Sequence, residues 1–448
     1  MSNKKFLVLT VMLLVFIVLG CKKLETNKFQ SQNLKCKDCN VVVIGLTALR
    51  ADHVGVYGYS KNTTPNIDSV ASKSFVFKNA VSASSWTLPS FMSMFTSTYP
   101  SEHGIKNNYI RNNEGKLVRA NLRELNPNIK TLAEVLNENG YVTAGFTGNV
   151  HLNRTFGYSI GFETYFDAIP FAGLETTLPL ALKWLQKNRD KKFFLFIQGY
   201  DLHGRYELQN DYSGKFIGKN YSGLYKGSKE EQILLRNLSL EQGHVNLSEG
   251  DKEFWRSLYN TKLYDADARL GDFFSEIEDL GILNDSIIII LGDHGEELFE
   301  RSRIDHGFSL YDELIRIPLI IYIPYSVRYK FIENQVRTID IMPTILNIIN
   351  ANLTGNINGQ MKGVSLTPLM NGQVLNLNAY SETDYLYKVF KRSIRKSNGW
   401  KFIYSIDTNE KELYNLNEDP GEKNNLIDKE PRIAYELEQE LFKQIYGT

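Results

Sequence analysis

Ser286-Ile287-Ile288-Ile289-Ile290-Leu291-Gly292-Asp293-His294-Gly295-Glu296-Glu297 is the stretch that decides the fold. The apolar run to Leu291 is short, continuous and rich in β-branched residues, which fits a strand buried on both faces. Chemically specific residues begin where that run stops. Val41 to Ile44, Tyr141 to Phe146, Phe193 to Ile197 and Leu319 to Ile323 read the same way. Between them the pattern predicts helices over 131–137, 178–187 and 251–280. Ser248 stands three residues before Asp251, at capping-box spacing, and Phe254, Trp255, Leu258, Leu263, Leu270, Phe273 and Ile277 give the last helix an apolar stripe. Alternation of buried strands with amphipathic helices predicts an α/β fold with a mostly parallel central sheet and helices on both faces. In such sheets ligands bind beyond the carboxyl ends of the strands.

A chain of 448 residues exceeds what one hydrophobic core usually supports, so two domains are expected. The larger is predicted over 39–369. After Leu369 the strands become short and aromatic, around Arg392 to Ile394 and Trp400 to Ile406, before a helix from Pro431 to Tyr446. Residues 370–448 therefore read as a small C-terminal α+β subdomain. The polar, weakly periodic stretch 204–250 reads as an insertion near the site mouth. Lys and Arg number 51, and so do Asp and Glu, with no long run of either sign; electrostatic capture of nucleic acid is not expected.

At the N-terminus, Lys4-Lys5 precedes an apolar run from Phe6 to Leu19, then Val18-Leu19-Gly20-Cys21. The run is too short for a mature span, since a bilayer needs about 20 apolar residues. This pattern resembles the lipobox of bacterial lipoproteins, which implies a signal peptide over 1–20, lipidation of Cys21 and a tether over 21–38. The protein would then be exported and anchored to a membrane, in the periplasm or at the cell surface. An ordinary secretory signal with a chance Cys is the alternative. Cys36 and Cys39, in a polar linker rather than at a helix start, are expected to pair as a clip and not to form a redox site.

Residues following the predicted strands supply the chemistry. Asp293 and His294 offer a carboxylate oxygen and an imidazole nitrogen, a pair suited to Zn or Mn; an exposed Asp-His-Gly turn is the plainer alternative. Ser82 to Ser90 forms a hydroxyl-rich turn leading into a helix near Pro89, where Thr87 would sit at the positive end of the helix dipole. A metal-activated nucleophile and a helix cap are both open to it. After Phe193 to Ile197 comes Tyr200-Asp201-Leu202-His203, with Asp201 a candidate support for the site. His203 and His306 are candidates for protonating a leaving oxygen or holding a sulfate or phosphate oxygen. Arg50 and Asp52 read as an ion pair beneath the site.

Taken in order, these segments resemble the sulfatase branch of the alkaline phosphatase superfamily. The resemblance runs through Leu49-Arg50-Ala51-Asp52-His53, Thr64-Pro65-Asn66-Ile67-Asp68, Ser85-Trp86-Thr87-Leu88-Pro89-Ser90, Tyr99-Pro100-Ser101-Glu102-His103-Gly104, Asp293-His294-Gly295-Glu296, His306-Gly307 and Asp340-Ile341-Met342-Pro343-Thr344. Glu412-Leu413-Tyr414-Asn415-Leu416 and Glu418-Asp419-Pro420-Gly421-Glu422 resemble the family's C-terminal subdomain. It implies an α/β/α sandwich, a divalent metal (Mn, Zn, Ca or Mg) on Asp293 and His294, and a nucleophile at position 87. Sulfatases carry a Cys or Ser there, matured to formylglycine and followed by x-Pro-x-Arg; Thr87-Leu88-Pro89-Ser90-Phe91 departs from this, so no formylglycine is expected. A threonine nucleophile is similar to the lipoteichoic-acid synthases and phosphoethanolamine transferases of the same superfamily.

Thr47 stands where the family places a metal-binding Asp, and a neutral hydroxyl is the weaker ligand. Two functions follow as expectations. One is a metal-dependent hydrolase or transferase of sulfate or phosphate esters, with metal on Asp293, His294, Thr87 and Thr47, and with Thr87, His203 and His306 as catalytic residues. The other is a catalytically impaired protein that binds a sulfated or phosphorylated surface glycan. A lipid head group is a further substrate class consistent with a membrane anchor.

Overall fold

Residues 34–112, 114–148, 150–204, 206, 214–218, 221–326 and 330–447 are described by a computed structural model. The expected signal peptide, Cys21 and most of the expected tether lie outside these residues. In chain order the strands are β1 Asn40–Leu46, β2 Phe75–Val81, β3 Tyr109–Arg111, β4 Leu117–Arg119, β5 Val142–Phe146, β6 Thr164–Phe166, β7 Phe193–Gly199 and β8 Ser286–Gly292. They continue with β9 Glu297–Leu298, β10 Ile304–Asp305, β11 Arg316–Tyr322, β12 Lys330–Arg337, β13 Ala379–Tyr385, β14 Val389–Arg395, β15 Trp400–Ser405 and β16 Lys411–Asn415.

Eight of them form the central sheet, in the order β12-β2-β11-β8-β1-β7-β5-β6. β1 lies parallel between β7 and β8 and is wholly buried, as β8 is, which is why both read as unbroken apolar runs. Alternate side chains serve two cores. Val41, Val43, Ile287 and Ile289 pack with Phe91, Phe95 and Ile345, whereas Val42, Ile44, Ile288 and Ile290 pack with Trp255, Leu258, Leu263 and Leu270. Helices Thr87–Thr96 and Ile341–Ile348 thus cover one face, and helices Glu249–Asp279 and Leu174–Asn188 the other. This is the α/β/α sandwich expected from the sequence.

Several details differ from the sequence reading. β11 is antiparallel to both neighbours, β2 and β8, within an otherwise parallel sheet. β2 escaped notice because Lys78 and Asn79 interrupt its apolar run on the less buried half. The 178–187 helix begins instead at Leu174 and holds Pro179 in its interior. Its start is fixed from afar, because both Asp201 carboxylate oxygens accept the Leu174 N–H, at 3.1 and 2.9 Å. The 204–250 stretch contains a helix, Lys229–Gln242, opened by the Ser228/Glu231 capping box. Cys36 and Cys39 form a disulfide with Cα atoms 5.4 Å apart, and the Cys36 N–H donates to the Ile348 carbonyl. No helix among the described residues is long and apolar enough to cross a membrane.

β13 to β16 form a separate antiparallel sheet. Helix Pro431–Tyr446 covers it through Ala434, Leu437 and Leu441, which meet Ile394, Phe402 and Leu413.

Candidate functional site

β8 ends at Gly292, and the next two residues turn into a buried pocket at the carboxyl edge of the sheet. The Asp293 carboxylate is positioned by backbone: Oδ1 accepts N–H groups from Ala48 at 3.0 Å and His294 at 2.9 Å. Ala48 makes this contact from a left-handed conformation, φ 63°, at the end of β1. Hydroxyls of Ser82 and Ser90 each lie 2.6 Å from the Asp293 carbonyl, tying the turn to the helix that carries Thr87. The cap of that helix is Trp86, in extended conformation, and Thr87 is the first helical residue. Its hydroxyl therefore faces the pocket: Oγ1 is 3.1 Å from Nε2 of His294. On the other side of that ring, Nδ1 is 2.7 Å from the Gly295 carbonyl. A carbonyl only accepts, so Nδ1 carries the proton and Nε2 presents a lone pair to Thr87. Burial holds His294 down at about 4, while burial raises the Asp293 carboxyl above its ordinary value and the neighbouring imidazole partly offsets it.

A second layer surrounds this pair. The His306 ring centre lies 4.3 Å from that of His294, and its Nδ1 is 3.2 Å from Glu296 Oε1 and 3.1 Å from Asp305 Oδ1. Glu296, Asp305 and His306 form a buried cluster whose ligand-type atoms lie within 4.8 Å of one another. His203 meets the edge of His306 at 4.7 Å and stacks on Tyr200 at 4.2 Å. From the 229–242 helix, Arg236 brings Nε to 2.6 Å from Asp305 Oδ2 and Nη2 to 2.6 Å from the Tyr385 hydroxyl. Tyr385 packs on Trp86, which also meets His151 edge-on.

The residues singled out from the sequence thus divide. Thr87, Asp293, His294, His306 and His203 converge. Thr47 lies at the same sheet edge, but its Oγ1 accepts the Gln198 amide at 2.7 Å. Asp201 serves as the helix cap described above. Arg50 pairs with Asp52 and Glu300 and donates to the Glu296 carbonyl, bracing the turn from behind. Glu296, Asp305, Arg236, His151 and Tyr385 were not singled out. Adjacency to His306 was the only signal for Asp305, and Arg236 had none, since its helix is largely polar.

For a divalent metal, the donors that fit are Asp293 Oδ2, His294 Nε2 and Thr87 Oγ1. Among the described residues Asp293 Oδ2 is buried without a hydrogen-bond partner and lies 3.5 Å from His294 Nε2, which suits a ligand oxygen. Asp293 is the one carboxylate in that set, so the charge supplied is small. A cleft of about 640 Å³ elsewhere, lined by Arg50, Arg301, Asp312, Glu313 and Arg395, contains none of these donors. Its charges are paired among themselves, Arg301 with Glu313 and Arg395 with Asp312, as at a structural seam.

Known proteins resemble this chain in sequence and in fold. The profile of the Sulfatase family matches residues 39–351, and that of the "N-sulphoglucosamine sulphohydrolase, C-terminal" family matches 300–447. Arylsulfatase K of Mus musculus is 23% identical over 373 residues, which span 72% of this chain and 66% of that protein. The chain spans less than two thirds of the length of the arylsulfatase K relatives of dog, mouse and rat. A delta 4,5-hexuronate-2-O-sulfatase of Bacteroides thetaiotaomicron is 23% identical over 440 residues, covering 88% of this chain and 85% of its own. A structure described as a complex with "its substrate D-Glucosamine-2-N, 6-O-disulfate" superimposes with a TM-score of 0.72 at 18% identity, covering 91% of this chain and 98% of that one. With its family profile covering well over half its length, the chain belongs to the Sulfatase family.

Proposed function

We propose that the protein hydrolyses sulfate esters of saccharides, with Thr87 as nucleophile. The observation that carries this reading is the Thr87 hydroxyl 3.1 Å from an unprotonated His294 Nε2, beside the unpartnered Asp293 Oδ2. Names of the relatives support the substrate class: one is a hexuronate-2-O-sulfatase, and one structure holds a disulfated glucosamine.

Asp293 Oδ2, His294 Nε2 and Thr87 Oγ1 would hold a divalent metal, which when bound lowers the pKa of a coordinated hydroxyl and draws charge from a sulfo oxygen. Thr87 Oγ1 attacks sulfur, the ester S–O bond breaks, and its electron pair leaves on the sugar oxygen. Because Nδ1 of His306 is held by Glu296 and Asp305, its Nε2 is free to take up the proton that Thr87 releases and to pass it to that oxygen. His203, edge-on to His306, closes the pocket on the leaving-group side. Water then attacks the sulfur of the threonine sulfate, the S–Oγ1 bond breaks, hydrogen sulfate departs and one water proton returns to Thr87 Oγ1.

Thr87→Ala and Asp293→Ala should each lower turnover of an aryl sulfate by at least about a hundredfold. Unchanged turnover in either variant rejects the reading. Phosphate mono- and diesters run in parallel would show whether the pocket prefers phosphoryl groups. A second reading, a binding protein with an impaired centre, is favoured by one observation: Thr47 is already engaged by Gln198. That reading predicts sulfated-oligosaccharide binding without turnover in the presence of Mn, Zn, Mg or Ca. Export and anchoring through Cys21 are part of the proposal; Cys21→Ser should abolish incorporation of labelled fatty acid.

A further inference from the structure

We propose that Arg236 is the anion-binding residue of the pocket, taking an oxygen of the substrate's sulfo group on its guanidinium. The inference rests on the sulfate-ester reading of the same pocket. Three observations carry it, beginning with charge. Asp293 is the one carboxylate among the metal-type donors, Glu296 and Asp305 lie against His306, and the imidazoles of His151 and His203 are held well below their ordinary values by burial, with His306 adding to the effect. Unprotonated rings bring no charge to a sulfate monoester anion, whereas a guanidinium keeps its charge at every working pH. Arg50 cannot substitute, since Asp52, Glu300 and the Glu296 carbonyl occupy it behind the turn.

The second observation is fixation. Nη2 donates to the Tyr385 hydroxyl and Nε is charge-paired with Asp305 Oδ2, so the guanidinium is held in place before any ligand arrives. The helix beneath it is locked in turn: the Ser239 hydroxyl accepts the Ile304 N–H at 3.1 Å, the Gly243 carbonyl accepts Arg303 Nε at 2.6 Å, and Gln232 accepts the Tyr206 N–H at 2.8 Å. Third is access. Thr87, Asp293, His294 and His306 are buried, but the Arg236 side chain is 37% exposed, so of these groups its charge is the one that solvent and an incoming anion reach. A guanidinium matches the planar edge of an oxyanion with two parallel N–H donors.

The test measures the midpoint shift that inorganic sulfate induces in thermal unfolding, for wild type, Arg236→Gln, Arg236→Lys and the exposed control Glu230→Gln, together with KM and kcat for an aryl sulfate. Comparing sulfate-induced shifts rather than absolute midpoints removes any stability lost with the Asp305 pair. The expected result is a saturable sulfate shift in wild type and in Glu230→Gln, a weakening of apparent affinity by about tenfold or more in Arg236→Gln, and partial recovery in Arg236→Lys. KM should rise with the loss of affinity more than kcat falls. Equal sulfate affinity in wild type and Arg236→Gln overturns the proposal even if wild type is an active sulfatase, and so does a wild type that sulfate does not shift. Sulfate binding through Arg236 without turnover would instead remove the hydrolase reading and leave this one standing.

Discussion

Thr47 decides how much positive charge the pocket can hold. Its hydroxyl accepts from Gln198, and the next residue, Ala48, offers Asp293 only a backbone N–H. Thr47→Asp would add a second carboxylate at the end of β1, still able to accept the Gln198 amide. Affinity for Mn or Zn, measured by calorimetry, should rise by about tenfold or more, because hard cations gain from each added carboxylate. An unchanged affinity would mean that the Asp293, His294 and Thr87 donors saturate the ion without Thr47. At this scale the sequence was informative where a single side chain carries its own signal, as with Asp293 and His294 directly after a buried strand. It was silent on Glu296 and Asp305, since nothing in a sequence says that two carboxylates will end up within reach of one buried imidazole.

Helix Leu174–Asn188 shows why element boundaries were harder to read than the elements themselves. Pro179 looks like a helix start, yet the first turn forms earlier because Asp201, beyond β7, accepts the Leu174 N–H. That bond is made across 27 residues of chain, so no local pattern announces it. The five strands with apolar runs were legible; the edge strands β6 and β12 were not, since they carry polar residues where pleat and register allow them, and β2, although interior, is interrupted by Lys78 and Asn79. Asp201 also makes the helix start sensitive to pH. Burial, reinforced by Glu175, raises its carboxyl to about 7. Between pH 4 and 7 the folded state then keeps a proton that the unfolded chain has lost, so stability falls as pH rises through this window and levels off above it. Asp201→Asn keeps an oxygen for Leu174 and cannot titrate. Its stability should fall less steeply across the same range, by one proton's slope or about 1.4 kcal/mol per pH unit, in urea titrations at a series of pH values. Parallel pH profiles for the two proteins would reject this assignment.

The small sheet is a brace for the site as well as an appendage. β13 is stitched to the turn before Thr87: Ser84 Oγ donates to the Glu382 carbonyl at 2.6 Å, the Glu382 N–H donates to Ala83 at 2.9 Å, and Ser381 Oγ donates to the Ser82 carbonyl at 2.6 Å. Thr383 Oγ1 donates to the Gly307 carbonyl, and a Cβ at Gly307 would come within 2.6 Å of Tyr385, so the close approach beside His306 requires glycine. A buried charge network completes the seam. Lys401 on β15 has no exposed side-chain surface and lies 2.8 Å from both Asp312, just before β11, and Glu422. Burial alone would raise the Asp312 carboxyl, but the Arg395 and Lys401 charges overcome it and hold it well below the usual carboxylate range. Lys401→Met would leave Asp312 with Arg395 and deprive Glu422 of the cation it pairs with. Breaking a buried pair from one side costs about 3 to 5 kcal/mol, far more than an exposed pair contributes. Urea unfolding should therefore lose stability of that order in Lys401→Met. Turnover measured well below the transition should fall too, because Tyr385 and the Ser82 to Ser84 turn are held by the same sheet. A loss under about 1 kcal/mol would place the joining energy in the β13 hydrogen bonds, and a Ser381→Ala, Ser84→Ala double variant would then show the larger effect.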